Sequence, residues 1–236
     1  MRAMDVMTPD VITVDPDMTV QALAKLLSER AISGAPVVDA NGRMAGIVSE
    51  GDLLHRAELG TDQRREARSS WWLDHFAEGA ARDYVKSHGR TVKDIMTRDV
   101  AAVSEETELA DIAMLLETRR IKRVPVVRDG KVVGIVSRSN LVRALGAAAA
   151  TSAPAAGTID DDRTIRNRLL GELKRQEWAA KVWAQDIIVS GGVIHLWFGS
   201  DEPDERRRAV RVAAENVPGA RGVQEHLVDV PLMPVF

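Results

Sequence analysis

The chain of 236 residues contains no cysteine, one tyrosine and three phenylalanines, and aromatic residues make up 4% of it. Without cysteine there is no disulfide framework, no thiolate catalysis and no Cys-type zinc site. No apolar run approaches the roughly twenty residues that a membrane-spanning helix needs. The start, Met1-Arg2-Ala3-Met4-Asp5, lacks a basic stretch followed by an apolar one, so a cytoplasmic location is the expectation. A formal net charge of -3 provides no global drive toward nucleic acid or anionic lipid. The phosphate-cradling glycine loops of P-loop and dinucleotide-binding proteins are missing, as are nucleophile motifs. His55, His75, His88, His195 and His226 fall in separate segments without metal-ligand spacing, so surface or packing roles are expected of them. No enzyme, catalytic cofactor or metal is expected.

What is present is a duplication. Asp5-Val6-Met7-Thr8 returns as Asp94-Ile95-Met96-Thr97, Ala35-Pro36-Val37-Val38 as Val124-Pro125-Val126-Val127, and Gly46-Ile47-Val48-Ser49 as Gly134-Ile135-Val136-Ser137. The offset is constant apart from a one-residue insertion at Asn41, beside the turn glycine Gly42 that Gly130 matches. Collinear repeats of this kind predict two equivalent folded units related by a pseudo-twofold axis, with a cleft between them suited to a small ligand. A composition of 45% hydrophobic and 28% charged residues allows a real core, and the length predicts two domains.

Each copy reads in the same order. An extended piece (11–14; 100–103) precedes a helix with one apolar stripe, Val20, Leu23 and Leu27 or Leu109, Ile112 and Leu116, the first capped by Thr19. Two β-branched runs around a glycine turn then predict a hairpin, and a second helix starts near Asp52 or Asn140. The fold class is α+β: β-α-β-β-α used twice, two small sheets covered by helices.

The Met-Thr start, the Pro-Val-Val strand and the Gly-Ile-Val-Ser strand leading into a helix resemble a tandem pair of CBS domains, named after cystathionine β-synthase. The resemblance covers about residues 3–58 and 91–147. It implies a regulatory, signal-transducing module whose paired repeats form a disc, bind adenine nucleotides (AMP, ADP, ATP) in the clefts and often associate into a homodimer. The domain boundaries expected on this basis are 1–58 for the first repeat, 59–90 for a helical insert, 91–147 for the second repeat, 148–157 for a linker and 158–236 for a third unit.

CBS nucleotide sites often carry Gly-x-x-Ser/Thr-x-x-Asp, and Gly46-Ile47-Val48-Ser49-Glu50-Gly51-Asp52 fits it. A helix N-terminus offers N–H groups to phosphate, Ser49 adds a hydroxyl, and the Asp52 carboxylate can accept from both ribose hydroxyls. Ser-x-x-acid before an apolar run is equally a helix-capping arrangement that needs no ligand. The second copy has Ser137 but Asn140 in place of the acid, a neutral and weaker ribose contact. It brings Lys122-Arg123 where the first copy has Ser33-Gly34, and the family often places basic residues there to meet phosphate; the alternative is a solvated basic turn. One good cleft is therefore expected: Ser49 and Asp52 on ribose and phosphate, Val11, Ile12, Thr13, Ala35 and Pro36 around the base, Lys122 or Arg123 adding charge, and Ser137 and Asn140 as the second copy's counterparts.

The insert holds Trp71-Trp72, which cannot share one helix face; packing on the flank of its own domain, a dimer interface and the ligand cleft are the competing roles. Pro154 and Gly157 mark the alanine-rich linker, whose alanines can extend the preceding helix. Beyond it, a helix with Ile165, Leu169 and Leu173 on one side, strands at 187–189 and 193–198, a helix at 204–215 and a strand through Val223, Leu227 and Val230 give α-β-β-α-β. This order resembles the BON domain, a small bacterial module, with Phe198 where the family usually has glycine. Such domains are suggested to contact phospholipid or other surfaces. Here Arg163, Arg166, Arg168, Lys174, Arg175 and Arg206-Arg207-Arg208 are the basic material, and Trp178, Trp183 and Trp197 are either amphipathic anchors or core. A mixed-charge helix face is more often plain soluble surface.

Two function classes follow: a nucleotide-sensing regulator whose third unit is an interaction module, or a structural dimer with empty clefts docking to a membrane or protein. Nucleic acid is not an expected partner, because the aromatic-basic interleaving of a single-strand platform is missing.

Overall fold

The computed structural model describes residues 1–54, 85, 87–150, 159–180, 182 and 184–228. Trp71, Trp72, Trp183 and Val230, and most of the insert, lie outside the described residues. The elements are α1 (Ala3–Val6), α2 (Val20–Glu29), β1 (Gly34–Val38), β2 (Met44–Ser49), α3 (Glu50–Leu54), α4 (Val92–Ile95), α5 (Leu109–Thr118), β3 (Arg123–Arg128), β4 (Lys131–Ser137), α6 (Arg138–Ala150), α7 (Ile159–Lys174), β5 (Ile187–Ser190), β6 (Val193–Gly199), α8 (Asp204–Glu215) and β7 (Gly222–Val228). No helix among the described residues is long and apolar enough to cross a membrane.

The expected elements form for the expected reasons. Thr19 caps α2 by accepting the Ala22 amide at 3.2 Å, and Val20, Leu23 and Leu27 are buried on one face. Hairpin β3–β4 closes through Asp129-Gly130, both at positive φ (53° and 77°), the two-residue turn whose twist suits antiparallel strands. Hairpin β1–β2 carries the insertion instead as a longer turn, with Asp39 Oδ1 accepting from the Asn41 and Arg43 amides and a register shift between Val37 and Val38. The extended pieces before α2 and α5 are shorter than expected. Each makes a single parallel bridge to its own hairpin, Val14 to Val37 and Val103 to Val126, before the chain turns at Asp15 or Ser104. The final helices start at Glu50 and Arg138, slightly earlier than Asp52 and Asn140, and α6 runs through the alanines to Ala150.

The chain divides into two compact units whose borders cut across the sequence repeats. One comprises Asp10–Ala102 with Val127–Val133; its core is Val14, Val20, Leu23, Leu27, Ala35, Val37, Val48, Val92, Ile95 and Met96. The other comprises Met1–Pro9, Val103–Val126 and Gly134–Phe236. The duplicated Met-Thr arms have changed places. The arm before the second repeat packs on the first: Thr97 and Ile47 exchange backbone hydrogen bonds of 2.9 Å, and Val92 N donates to Met18 O. The arm before the first repeat packs on the second: Thr8 and Ile135 pair likewise, and Ala3 N donates to Thr107 O. A glycine sits under each arm because the approach leaves no room for a side chain. A Cβ on Gly46 would lie 2.7 Å from Met96 Sδ and 2.8 Å from Thr97 O, and one on Gly134 would meet Met7.

Residues 159–228 form the expected α-β-β-α-β order. Strand order is β5-β6-β7, with β5–β6 antiparallel and β6–β7 parallel. Ile165, Leu169 and Leu173 of α7 and Val210 and Ala214 of α8 pack on Ile187, Val189, Ile194, Leu196 and Phe198. Phe198 is a core residue, and β6 continues through Gly199.

Candidate functional site

In the unit of the first repeat, β2 ends at Ser49 and α3 begins at Glu50, placing Ser49 and Asp52 one turn apart. Asp52 Oδ2 accepts from the Ser49 amide at 2.9 Å and from its hydroxyl at 3.0 Å. Asp52 is half-buried, so its carboxylate organises the strand-to-helix corner without being sealed beneath it. Ala35 and Pro36 are buried in β1, Ala35 inside the core, whereas Val11 and Ile12 are half-buried and Thr13 is exposed. Of these five residues, only Val11, Ile12 and Thr13 present accessible surface.

The second repeat builds the same corner with different consequences. Asn140 Oδ1 accepts from the Ser137 amide at 2.8 Å and from its hydroxyl at 2.6 Å. Its amide nitrogen donates to Val6 O at 2.8 Å, and the residue is 1% exposed. An aspartate could not make that third bond, because a carboxylate has no proton to give. The side chain expected to touch ribose ties α6 to the arm. Lys122 is exposed and Arg123 half-buried at the start of β3, on the same hairpin as Ser137.

Three features were not legible from spacing alone. Arg166, assigned to a soluble basic face, is 3% exposed; its Nε donates to Ile187 O at 2.9 Å and its Nη2 to Met7 O and Ala184 O at 3.0 and 2.8 Å. Burial lowers its pKa to about 10, which leaves it cationic at neutral pH. The signal was its place three residues before Leu169 on the apolar stripe. Secondly, Arg163 Nε and Nη2 donate to Asp5 Oδ1 at 3.2 and 3.1 Å. Thirdly, the parallel register of β6 and β7 brings two of the separated histidines together, with His195 Nδ1 and His226 Nε2 3.0 Å apart and His226 stacked on Trp197 at 4.4 Å. His195 is fully buried, and desolvation together with His226 lowers its pKa to about 4; desolvation lowers that of His226. Among the described residues no group of three or more His, Asp or Glu side chains is arranged to hold a metal ion.

The remaining basic residues are largely engaged. Arg206 pairs with Glu202, Arg207 with Asp204, Arg175 with Glu172, and Arg168 donates to Pro218 O. Trp178 is 40% exposed.

Comparison with known proteins fits this arrangement. The CBS domain model matches residues 3–58 and 92–147. The chloroplastic CBS domain-containing protein CBSX2 of Arabidopsis thaliana is 36% identical over 149 residues, 59% of this chain and 61% of the plant protein, so the match spans only part of that relative. Inosine-5'-monophosphate dehydrogenase of Methanocaldococcus jannaschii is 29% identical over 143 residues, 60% of this chain and 23% of the enzyme, which shows the same module within a larger catalytic protein. The crystal structure of CBSX2 in complex with AMP is 34% identical, has a TM-score of 0.54 and covers 61% of this chain and 95% of that one. The chain belongs to the CBS-domain proteins, its two repeats forming a tandem CBS pair.

Proposed function

We propose that the protein is a non-catalytic regulator that senses an adenine nucleotide through its CBS pair, with residues 158–236 acting as a BON-type interaction module. The observation that carries this reading is the divergence of Asp52 and Asn140. Two corners with the same Ser-centred hydrogen bonds differ in that Asn140 is committed to the fold through Val6 O, while Asp52 keeps a carboxylate at the half-buried edge of its repeat. A carboxylate is the acceptor that a ribose diol requires, and its charge strengthens those bonds. The AMP bound by the related CBSX2 supports an adenine nucleotide as the ligand class. In this reading Ser49 and Asp52 hold ribose, and Val11, Ile12 and Thr13 contact the base with Ala35 and Pro36 behind them. Ser137 remains a capping hydroxyl.

A thermal-shift panel of AMP, ADP and ATP tests the ligand class. A ligand at a hundred times its dissociation constant stabilises the native state by about 2.7 kcal/mol, and no shift with any of the three would remove the sensing role. The second reading, an interaction dimer without nucleotide, is favoured by one observation: the bonds from Ser49 to Asp52 are those of a self-sufficient helix cap. In that reading the third unit docks to a protein or phospholipid surface. The pairing of Arg206, Arg207 and Arg175 with acids argues against an anionic-lipid surface and for a protein partner.

A further inference from the structure

The arm before the first repeat is held from two sides by elements of one compact unit. On one side is the second CBS repeat: Asn140 donates to Val6 O, Thr8 pairs with Ile135, and the Met7 side chain fills the space over Gly134. On the other is the C-terminal domain: Arg166 donates to Met7 O and Arg163 to Asp5 Oδ1. The carbonyls of two consecutive residues, Val6 and Met7, are thus gripped by opposite neighbours. Arg166 is anchored in its own domain through Ile187 O and Ala184 O, and Asp5, 8% exposed, also accepts the Arg2 amide that starts α1. The equivalent acid of the other arm, Asp94, makes its bonds to Thr91 and to the Arg90 amide, all within its own turn. Thus the sequence distinguishes two arms that its repeat pattern makes equal.

We propose that the N-terminal arm, residues 2–8, couples the second CBS repeat to the C-terminal domain alongside the direct Arg143–Asp186 pair, because Val6-Met7 is clamped between Asn140 and Arg166 while Asp5 is held by Arg163. Its regulatory use rests on the nucleotide reading above; the mechanical coupling does not. Two elements that bind one short segment bias each other: whatever reshapes β4 and α6 changes the position or order of the arm, and so the contacts open to α7. The output is a change in the C-terminal domain, the part of the chain that would engage a partner.

The test is hydrogen exchange of the full chain by mass spectrometry, with Arg163→Gln and Asp5→Asn, both of which leave the buried Arg166 in place. Without ligand, each variant is expected to exchange about tenfold faster in residues 2–8 and in β4, with β1 and β2 of the first repeat unchanged. Unaltered arm and β4 exchange in both variants would overturn the coupling. In a second arm of the experiment, AMP added to the unsubstituted chain slows exchange in β5 and β6; in Arg163→Gln calorimetry finds AMP affinity within threefold of the original while that slowing is lost. Slowing retained in both variants would contradict the arm as the route. Failure of AMP to bind the unsubstituted chain would sink the nucleotide reading alone, since the ligand-free comparison stands independently.

Discussion

The two repeats begin their last helix with the same two hydrogen bonds from a serine, yet one uses an aspartate at a half-buried edge and the other an asparagine sealed into the protein. The difference is a single proton donor. Asn140 needs an N–H because Val6 O lies beside it, whereas Asp52 places a half-buried carboxylate at the matching corner. Duplicated modules can thus keep a common scaffold while one copy turns the matching position into a fastening. The same contrast extends to the arms, since Asp5 reaches outside its turn to Arg163 and Asp94 does not.

The comparison breaks most visibly at Arg166. Arg166→Met leaves three backbone carbonyls without their donor, and at about 1–3 kcal/mol for each buried unsatisfied group the loss is expected to exceed about 3 kcal/mol. Chemical denaturation followed by hydrogen exchange should place the damage in β4, the N-terminal arm and β5, with the first repeat largely spared. Equal loosening of the first repeat would show that the two halves are not held separately.

Acid should act on the same side. The pKa of His195 is about 4 in the folded protein against an ordinary value of 6.5, so between these values the unfolded chain binds the extra proton. Stability from the neutral imidazole is present above about pH 6.5 and is lost as pH falls toward 4, on the order of 3 kcal/mol in full. His226, whose pKa is also lowered, pulls in the same direction. Trp197 fluorescence against denaturant at pH 7 and pH 5 measures the change, and Trp197 stacked on His226 should report it. His195→Gln should flatten the dependence, and an unchanged slope in that variant would assign the acid sensitivity elsewhere.

Exchanging the corner residues sharpens the contrast further. Asn140→Asp removes the donor to Val6 O and sets a carboxylate against a carbonyl, a loss of about 1–3 kcal/mol. Asp52→Asn keeps the acceptor for Ser49 and should shift stability by less than about 1 kcal/mol. Thermal unfolding of both variants side by side decides; equal losses would erase the asymmetry.

Much of this fold was readable before any coordinates. The stripe Val20, Leu23, Leu27, the cap at Thr19, the Asp129-Gly130 turn and the stripe Ile165, Leu169, Leu173 all state their local structure through spacing and residue type. The exchange of arms was not readable, for a physical reason: Val6-Met7-Thr8 and Ile95-Met96-Thr97 are nearly interchangeable, and either methionine would fit over Gly46 or Gly134. The candidate site was legible as a list, but not the burial that separates Asp52 from Asn140. Nor could the parallel pairing of β6 with β7, which joins His195 to His226, be inferred from residues so distant in sequence. The insert with Trp71 and Trp72 lies outside the described residues.

Calorimetric titration of the full chain with AMP tests the central claim most directly, because stoichiometry and affinity come from one curve. The asymmetry of the two corners predicts one AMP per chain, and Asp52→Ala should weaken binding by about 1–3 kcal/mol, roughly five- to 150-fold. Two equivalent AMP molecules per chain, or an affinity unmoved by Asp52→Ala, would contradict it.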